Sequence, residues 1–130
     1  MSKILLDSSI IIDYLRLKDK SQTVLYNLLE KEYQLYTSIV AHTESYAGKS
    51  VWEIEKARVA LETLFSGIKI LQLDEEISKK AGRIRAAYGT NIVDAVIAAT
   101  ALSHDLELAT LNTKDFEKIE GLMVYRKATN

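Results

Sequence analysis

The 130-residue chain contains no cysteine. Disulfides and thiolate metal sites are therefore excluded, and a reducing compartment is the natural setting. Proline is absent as well, which carries no functional reading. Long hydrophobic runs are also lacking, because the apolar start, Ile4-Leu5-Leu6 and Ile10-Ile11-Ile12, is interrupted by Asp7 and closed by Asp13. That break rules out a signal-peptide core, and no stretch approaches the ~20 apolar residues of a membrane span. Nor is there an excess of one charge: 17 Lys and Arg against 18 Asp and Glu leave a net charge of −1. No global positive field recruits nucleic acid, so any such binding rests on a local patch or a supplied cation. These absences predict a cytoplasmic protein without membrane contact. Its length and its 48% hydrophobic content suit one domain over residues 1–130, with a single proper core.

The most informative stretch that is present runs from Asn91 to Leu102. Asn91 is a good helix N-cap, and Asp94 falls in the first turn, where a carboxylate suits the positive end of the helix dipole. Ala95 to Leu102 is apolar except for Thr100. A surface helix would show a stripe, whereas this one is apolar nearly all round and is predicted to lie buried in the middle of the fold. Asp94 then has two readings. It is half of a capping box with Asn91, or it is a metal or catalytic carboxylate that needs partners from elsewhere in the chain.

Short apolar strands alternate with helical patterns along the sequence. Lys3–Leu6 reads as a buried strand, followed by a short helix over Ile10–Leu15 capped by Ser8 or Ser9. Ser21 is expected to cap a helix through Val24/Leu25 and Leu28/Leu29. Gln34–Thr37 reads as a second strand, and Ser38 caps a helix that carries Glu44 and ends at Gly48. Ser50 with Glu53 forms a capping box opening one helix that runs to Phe65 and stops at Gly67. Lys69–Leu73 is a third strand, and Asp74 caps a helix closed by Gly89. After the Asn91 helix come strands at Leu106–Thr110 and Leu122–Tyr125, then a tail from Arg126 to Asn130. This alternation predicts an α/β fold in three layers, with a parallel sheet flanked by helices.

In open parallel sheets, ligands gather outside the carboxyl ends of the strands. Asp7 follows the first strand, Asn112 and Asp115 follow the fourth, and Glu44 lies about two turns beyond the second. The helix opened by Asp94 feeds the fourth strand, so its N-terminus belongs at the same edge. Such a rim of acids repels itself unless cations sit in it. Oxygen-only ligands point to Mg²⁺ or Mn²⁺ rather than zinc, and a carboxylate-held Mg²⁺ suits phosphate-ester chemistry.

The stretches Leu6-Asp7-Ser8-Ser9-Ile10-Ile11-Ile12-Asp13-Tyr14-Leu15, Glu44, Asp94 to Leu102, and Ala109 to Phe116 together resemble the PIN-domain ribonucleases. Within that family the chain most resembles the VapC-type toxins of type II toxin–antitoxin pairs. The resemblance implies a five-stranded parallel sheet, Mg²⁺ or Mn²⁺ at the acidic cluster and endonucleolytic cleavage of RNA. It also implies a cognate antitoxin that occludes the site, and a homodimer. Asp7, Glu44 and Asp94 match the three core acidic positions, and Ser9 matches a hydroxyl that supports the first of them. Asn112 and Asp115 both fall in the loop of the fourth position, which leaves that residue open between them. On this resemblance Asp7 and Asp94 hold the principal ion, Glu44 positions or deprotonates the attacking water, and Asp115 or Asn112 completes the shell.

Other polar groups have plainer readings. Asp13 is a surface helix residue, and His42 and His104 have no triad or metal spacing. Lys79, Lys80, Arg83 and Arg85 are a solvated helix face that becomes an RNA-phosphate patch only if it borders the acidic rim. Trp52, Tyr26 and Tyr88 read as core or dimer contacts. Two alternatives stay open. One is a phosphatase with Asp7 as nucleophile, although Ser9 stands where a second Asp would be wanted. The other is a PIN-like module that binds RNA or a partner protein without cutting.

Overall fold

A computed structural model of the protein describes residues 1–126. Its first strand, β1 (Lys3–Leu6), places Leu5 on one face of the sheet and Ile4 and Leu6 on the other. Helix α1 (Ser8–Arg16) follows, capped by Asp7 rather than by Ser8 or Ser9. The carboxylate outcompetes the serines because both backbone N–H groups of the opening turn, on Ser9 and Ile10, reach the same oxygen. A short 3₁₀ turn at Lys20–Gln22 precedes α2 (Val24–Glu30), whose cap is Thr23 instead of Ser21.

Strand β2 (Gln34–Ser38) leads into α3 (Ile39–Ser45), with the Ser38 hydroxyl accepting from the N–H of Ala41. The expected long helix from Ser50 is two helices, α4 (Lys49–Glu53) and α5 (Glu55–Phe65). Gly48 caps α4 without a side-chain bond, so the Ser50–Glu53 box does not form. The break falls at Ile54, which takes an extended conformation that its branched β-carbon favours. Ile54 is consequently 52% exposed instead of facing inward.

Strand β3 (Lys69–Leu71) and α6 (Glu75–Tyr88) come next, the helix capped by Asp74 and closed by Gly89 in a left-handed conformation at φ 70°. Helix α7 (Ile92–Ser103) is buried continuously from Ala95 to Ala101. Strand β4 (Glu107–Ala109) and the single turn α8 (Thr113–Phe116) complete the order.

The four strands pair in parallel in the order β3-β2-β1-β4. The expected fifth strand at Leu122–Tyr125 is reduced to one parallel bridge between Leu108 and Val124. Leu108 supplies both of its backbone bonds, one from its N–H to Met123 and one accepted from Tyr125. With β4 only three residues long, there is no further edge for a strand to extend along. The α/β class and the layered plan stand.

Two cores sandwich the sheet. One joins Leu5 and Leu108 to α6, α7 and Phe116, and the other joins Ile4, Leu6 and Leu35 to α1, α2 and α5. Helix α7 therefore lies in the protein's centre, with Asp94 in its first turn. No helix among the described residues is long and apolar enough to cross a membrane.

Candidate active site

Register determines the first part of the site. Leu6 pairs with Ala109, and the N–H of Asp7 donates to the Ala109 carbonyl at 3.1 Å. The residues that follow each strand, Asp7 and Thr110, are therefore neighbours. Oδ2 of Asp7 accepts from the Thr110 hydroxyl, and Oδ1 accepts from the Ser9 hydroxyl and from the N–H groups of Ser9 and Ile10. The Ser9 oxygen in turn accepts from the N–H of Leu111 at 3.0 Å, so it ties α1 to the loop after β4. Asp7 is 3% exposed. Burial pushes its carboxyl above the ordinary range, and the hydroxyl and backbone donors only partly offset this.

Asp94 lies in the first turn of α7, whose cap is Asn91. Its N–H donates to Oδ1 of Asn91, and Oδ2 accepts from Nδ2 of Asn91, both at 2.9 Å. The expected capping box forms only by half, since the return bond comes from the Asn91 side chain and not from its backbone N–H, and Oδ1 of Asp94 is left with no hydrogen bond among the described residues. Its carboxyl is raised first by desolvation and further by the charges of Asp7 and Asp115. Glu44 sits in the last turn of α3, where the helix dipole disfavours a carboxylate. Ser8 donates to its Oε1 at 3.0 Å. Desolvation again raises its carboxyl, with Asp94 and Asp7 adding to the effect.

Asp94 thus feels the charges of Asp7 and Asp115, and Glu44 those of Asp94 and Asp7. Among the described residues, no three of them are drawn together closely enough to form a finished metal shell. The acids share a field, but they stand apart. Carboxylate oxygens, one of them unbonded on Asp94, are the donor type that small divalent cations prefer. The residues present fit Mg²⁺ or Mn²⁺ in donor type and in charge.

The loop after β4 separates its two candidates. Asp115 shares a cleft of about 250 Å³ with Asp94, Asn91, Thr90, Arg85 and Lys118. Asn112 instead lines a hollow within its own loop, and its N–H donates to the Thr110 oxygen at 3.0 Å. Of the basic face of α6, Arg85 alone borders this cleft; Lys80 and Arg83 line a separate hollow with Tyr88, and Lys79 lines neither.

Ser8, Thr110, Thr90 and Lys118 join the site without having stood out in the sequence. Thr110 was the most accessible of these, since it follows β4 as Asp7 follows β1, and a strand-end search confined to acids passes over a hydroxyl. His42 is structural as expected, its ring 4.6 Å from that of Phe65 and 4.9 Å from that of Tyr46. Trp52 is 61% exposed and thus outside the core.

The PIN domain family model matches residues 4–122. The chain belongs to the PIN domain family. Within it, the chain is 33% identical to ribonuclease VapC19 of Mycobacterium tuberculosis over 123 residues, covering 91% of this chain and 95% of that one. It is 28% identical to the tRNA(fMet)-specific endonuclease VapC of Shigella flexneri, over 94% of this chain and 96% of that one. Among solved structures, a toxin–antitoxin complex from Klebsiella pneumoniae superposes with a TM-score of 0.73 and 30% identity, over 93% of this chain and 96% of that one. The strand ends that carry Asp7 and Thr110, and the helix that carries Asp94, all lie inside the matched PIN segment.

In this PIN domain, Thr110→Val leaves Oδ2 of a buried carboxylate without its donor, which costs about 1–3 kcal/mol. The sign of its pH dependence follows from Asp7. The folded pKa of Asp7 lies above the unfolded value, so its ionised form is a cost at neutral pH that is relieved as pH falls through the raised folded pKa and is gone once pH reaches the ordinary carboxylate range. Removing the Thr110 bond raises that pKa further and enlarges the cost. Urea unfolding should show a deficit at pH 7 that shrinks towards pH 4. An equal deficit at both pH values would mean that the hydroxyl acts by packing alone.

Proposed function

We propose that this PIN domain is a Mg²⁺- or Mn²⁺-dependent endoribonuclease of the toxin–antitoxin type. The observation that carries the proposal is that acids from separate elements act on one another beyond the ends of the strands, Asp7 and Asp94 on Glu44, and Asp7 and Asp115 on Asp94. Asp7, Asp94 and Glu44 would hold the ion. When bound, the ion supplies charge to the phosphoryl oxygens and acidifies a water.

The chain's own residues do the rest. Ser9 and Thr110 hold the Asp7 carboxylate in one orientation. Asn91 fixes Asp94 through Oδ2 and leaves its other oxygen free. Glu44 takes a proton from the attacking water, and its raised pKa makes it a better base than an ordinary carboxylate. In-line attack on phosphorus forms the new P–O bond as the bond to the 3′ oxygen breaks, and that oxygen takes its proton from solvent water. The products then carry a 5′-phosphate and a 3′-hydroxyl.

An apolar groove bears on control by an antitoxin. It encloses about 330 Å³, is lined by Ile12, Leu15, Val51, Ile54 and Leu61, and reaches Glu44. An antitoxin segment seated there would lie beside the acidic cluster, which supports occlusion as the means of control.

The deciding experiment is cleavage of a mixed RNA pool with Mg²⁺ or Mn²⁺, set against an EDTA control, with the product ends labelled. Cleavage that EDTA abolishes, leaving 5′-phosphates, is the expected result. Cleavage that persists in EDTA, or products with 2′,3′-cyclic ends, would refute the mechanism. RNA binding without cleavage under any metal would instead favour a binding module.

A further inference from the structure

The cleft that Asp94 shares with Asp115 contains two cations that the acid cluster does not use. Arg85 and Lys118 line it, yet the one ion pair among the described residues is Arg126 with Glu117. Neither cation has collapsed onto the carboxylates beside it. Lys118 stands three residues after Asp115, beyond the end of α8, and makes no pair with it.

Arg85 is held in place from behind. Its Nη1 donates to the Thr90 carbonyl at 3.0 Å and to the Gly89 carbonyl at 3.4 Å, which clamps the left-handed turn at Gly89. Both bonds use Nη1, so the Nε and Nη2 donors of the guanidinium fork make no bond among the described residues. The third component is Thr90. It is 4% exposed, it lines the same cleft, and its hydroxyl has no hydrogen-bond partner among the described residues. A buried hydroxyl without a partner is uncommon and costly, and that of Thr90 lies under the cleft surface, closed to solvent.

We propose that Arg85 and Lys118, in the cleft that Thr90 also lines, form an anion subsite that seats an RNA phosphate next to the one cleaved. The chemistry matches a phosphodiester. A guanidinium fork and an ammonium provide charge-assisted donors for its non-bridging oxygens. At about 250 Å³ the cleft is smaller than the roughly 300–1,000 Å³ of sites that enclose a drug-sized molecule. It suits a backbone phosphate better than a nucleobase with its sugar. The subsite would also fix the direction of the strand across Asp94. It rests on the ribonuclease function proposed above.

The test measures binding separately from cleavage. Anisotropy of a labelled ribo-oligonucleotide is followed with Mg²⁺ in the Asp94→Asn chain, with and without Lys118→Gln, Arg85→Gln or the charge-preserving Arg85→Lys. Lys118→Gln and Arg85→Gln should each weaken binding roughly 5- to 10-fold, with the slope of log affinity against log salt falling by about 0.7 for each phosphate no longer neutralised. Arg85→Lys should retain that slope. In the otherwise native chain, Lys118→Gln should raise KM by a similar factor and keep kcat within about twofold. Unchanged binding and slope in both neutral variants would overturn the subsite. So would a fall in kcat at constant KM, which would place Lys118 with the reacting groups instead. A native chain that cuts no RNA, while binding still depends on Arg85 and Lys118, would refute the ribonuclease function and leave the subsite standing.

Discussion

Asp94→Asn is expected to lower RNA cleavage on the order of 10²- to 10³-fold while leaving the fold intact, because a charged oxygen at the cluster contributes several kcal/mol to the transition state. The substitution is nearly isosteric. Asn91 still accepts from the N–H of residue 94, and an amide oxygen still accepts from Nδ2 of Asn91. Two effects on stability oppose each other. The helix loses a carboxylate from its first turn, worth about 0.3–1 kcal/mol, while the repulsion that Asp94 exerts on Glu44 disappears. Thermal melts in EDTA should therefore show a Tm close to native. Divalent cation should raise the native Tm by several degrees, since ligand at about ten times Kd contributes ~1.4 kcal/mol, and should raise the variant's Tm less. A variant that still cuts at the native rate would remove Asp94 from the site.

Asp94 is legible in the sequence because it advertises itself twice. It follows an N-cap, and it opens a run whose small apolar residues can be accommodated only inside the protein. Asp7 was legible for a related reason: a polar residue that ends a buried strand stands at the sheet edge where ligands gather. Glu44 was harder, since a helix position among polar neighbours looks solvated, and its role depends on where α3 sits after β2.

What stayed hidden was set by tertiary geometry. Thr110 meets Asp7 only through the register of β1 against β4. Lys118 and Arg85 are 33 positions apart in sequence and share a cleft only once α8 has packed beside the loop after α6. The basic face of α6 looked uniform as a pattern, but it is divided by its surroundings, with Arg85 on one side and Lys80 and Arg83 on the other. The broken helix at Ile54 and the one-bridge remnant at Val124 are local failures of periodicity. In each, an apolar residue fitted the pattern, and the packing available to it decided otherwise.

Phe116→Ala is expected to cost about 3–5 kcal/mol, the usual range for deleting a fully buried aromatic side chain. Phe116 is completely buried, in the same core as Leu108, Ile119 and α7. Against a typical total of about 5–15 kcal/mol, the loss should lower Tm on the order of 10–20 °C. The consequence for function is separate from global stability. Helix α8 is a single turn of four residues whose cap, Asn112, makes no side-chain bond. Its orientation, and with it that of Asp115, depends on the ring of Phe116 inserted beneath it. Cleavage should therefore fall even at temperatures where circular dichroism shows the variant folded, and Phe116→Leu, which keeps most of the buried volume, should retain much of both properties. If the alanine variant were well folded and cut RNA at the native rate, α8 would be held by its loop rather than by its core residue. Asp115 would then lie outside the machinery that the rest of the acidic cluster forms.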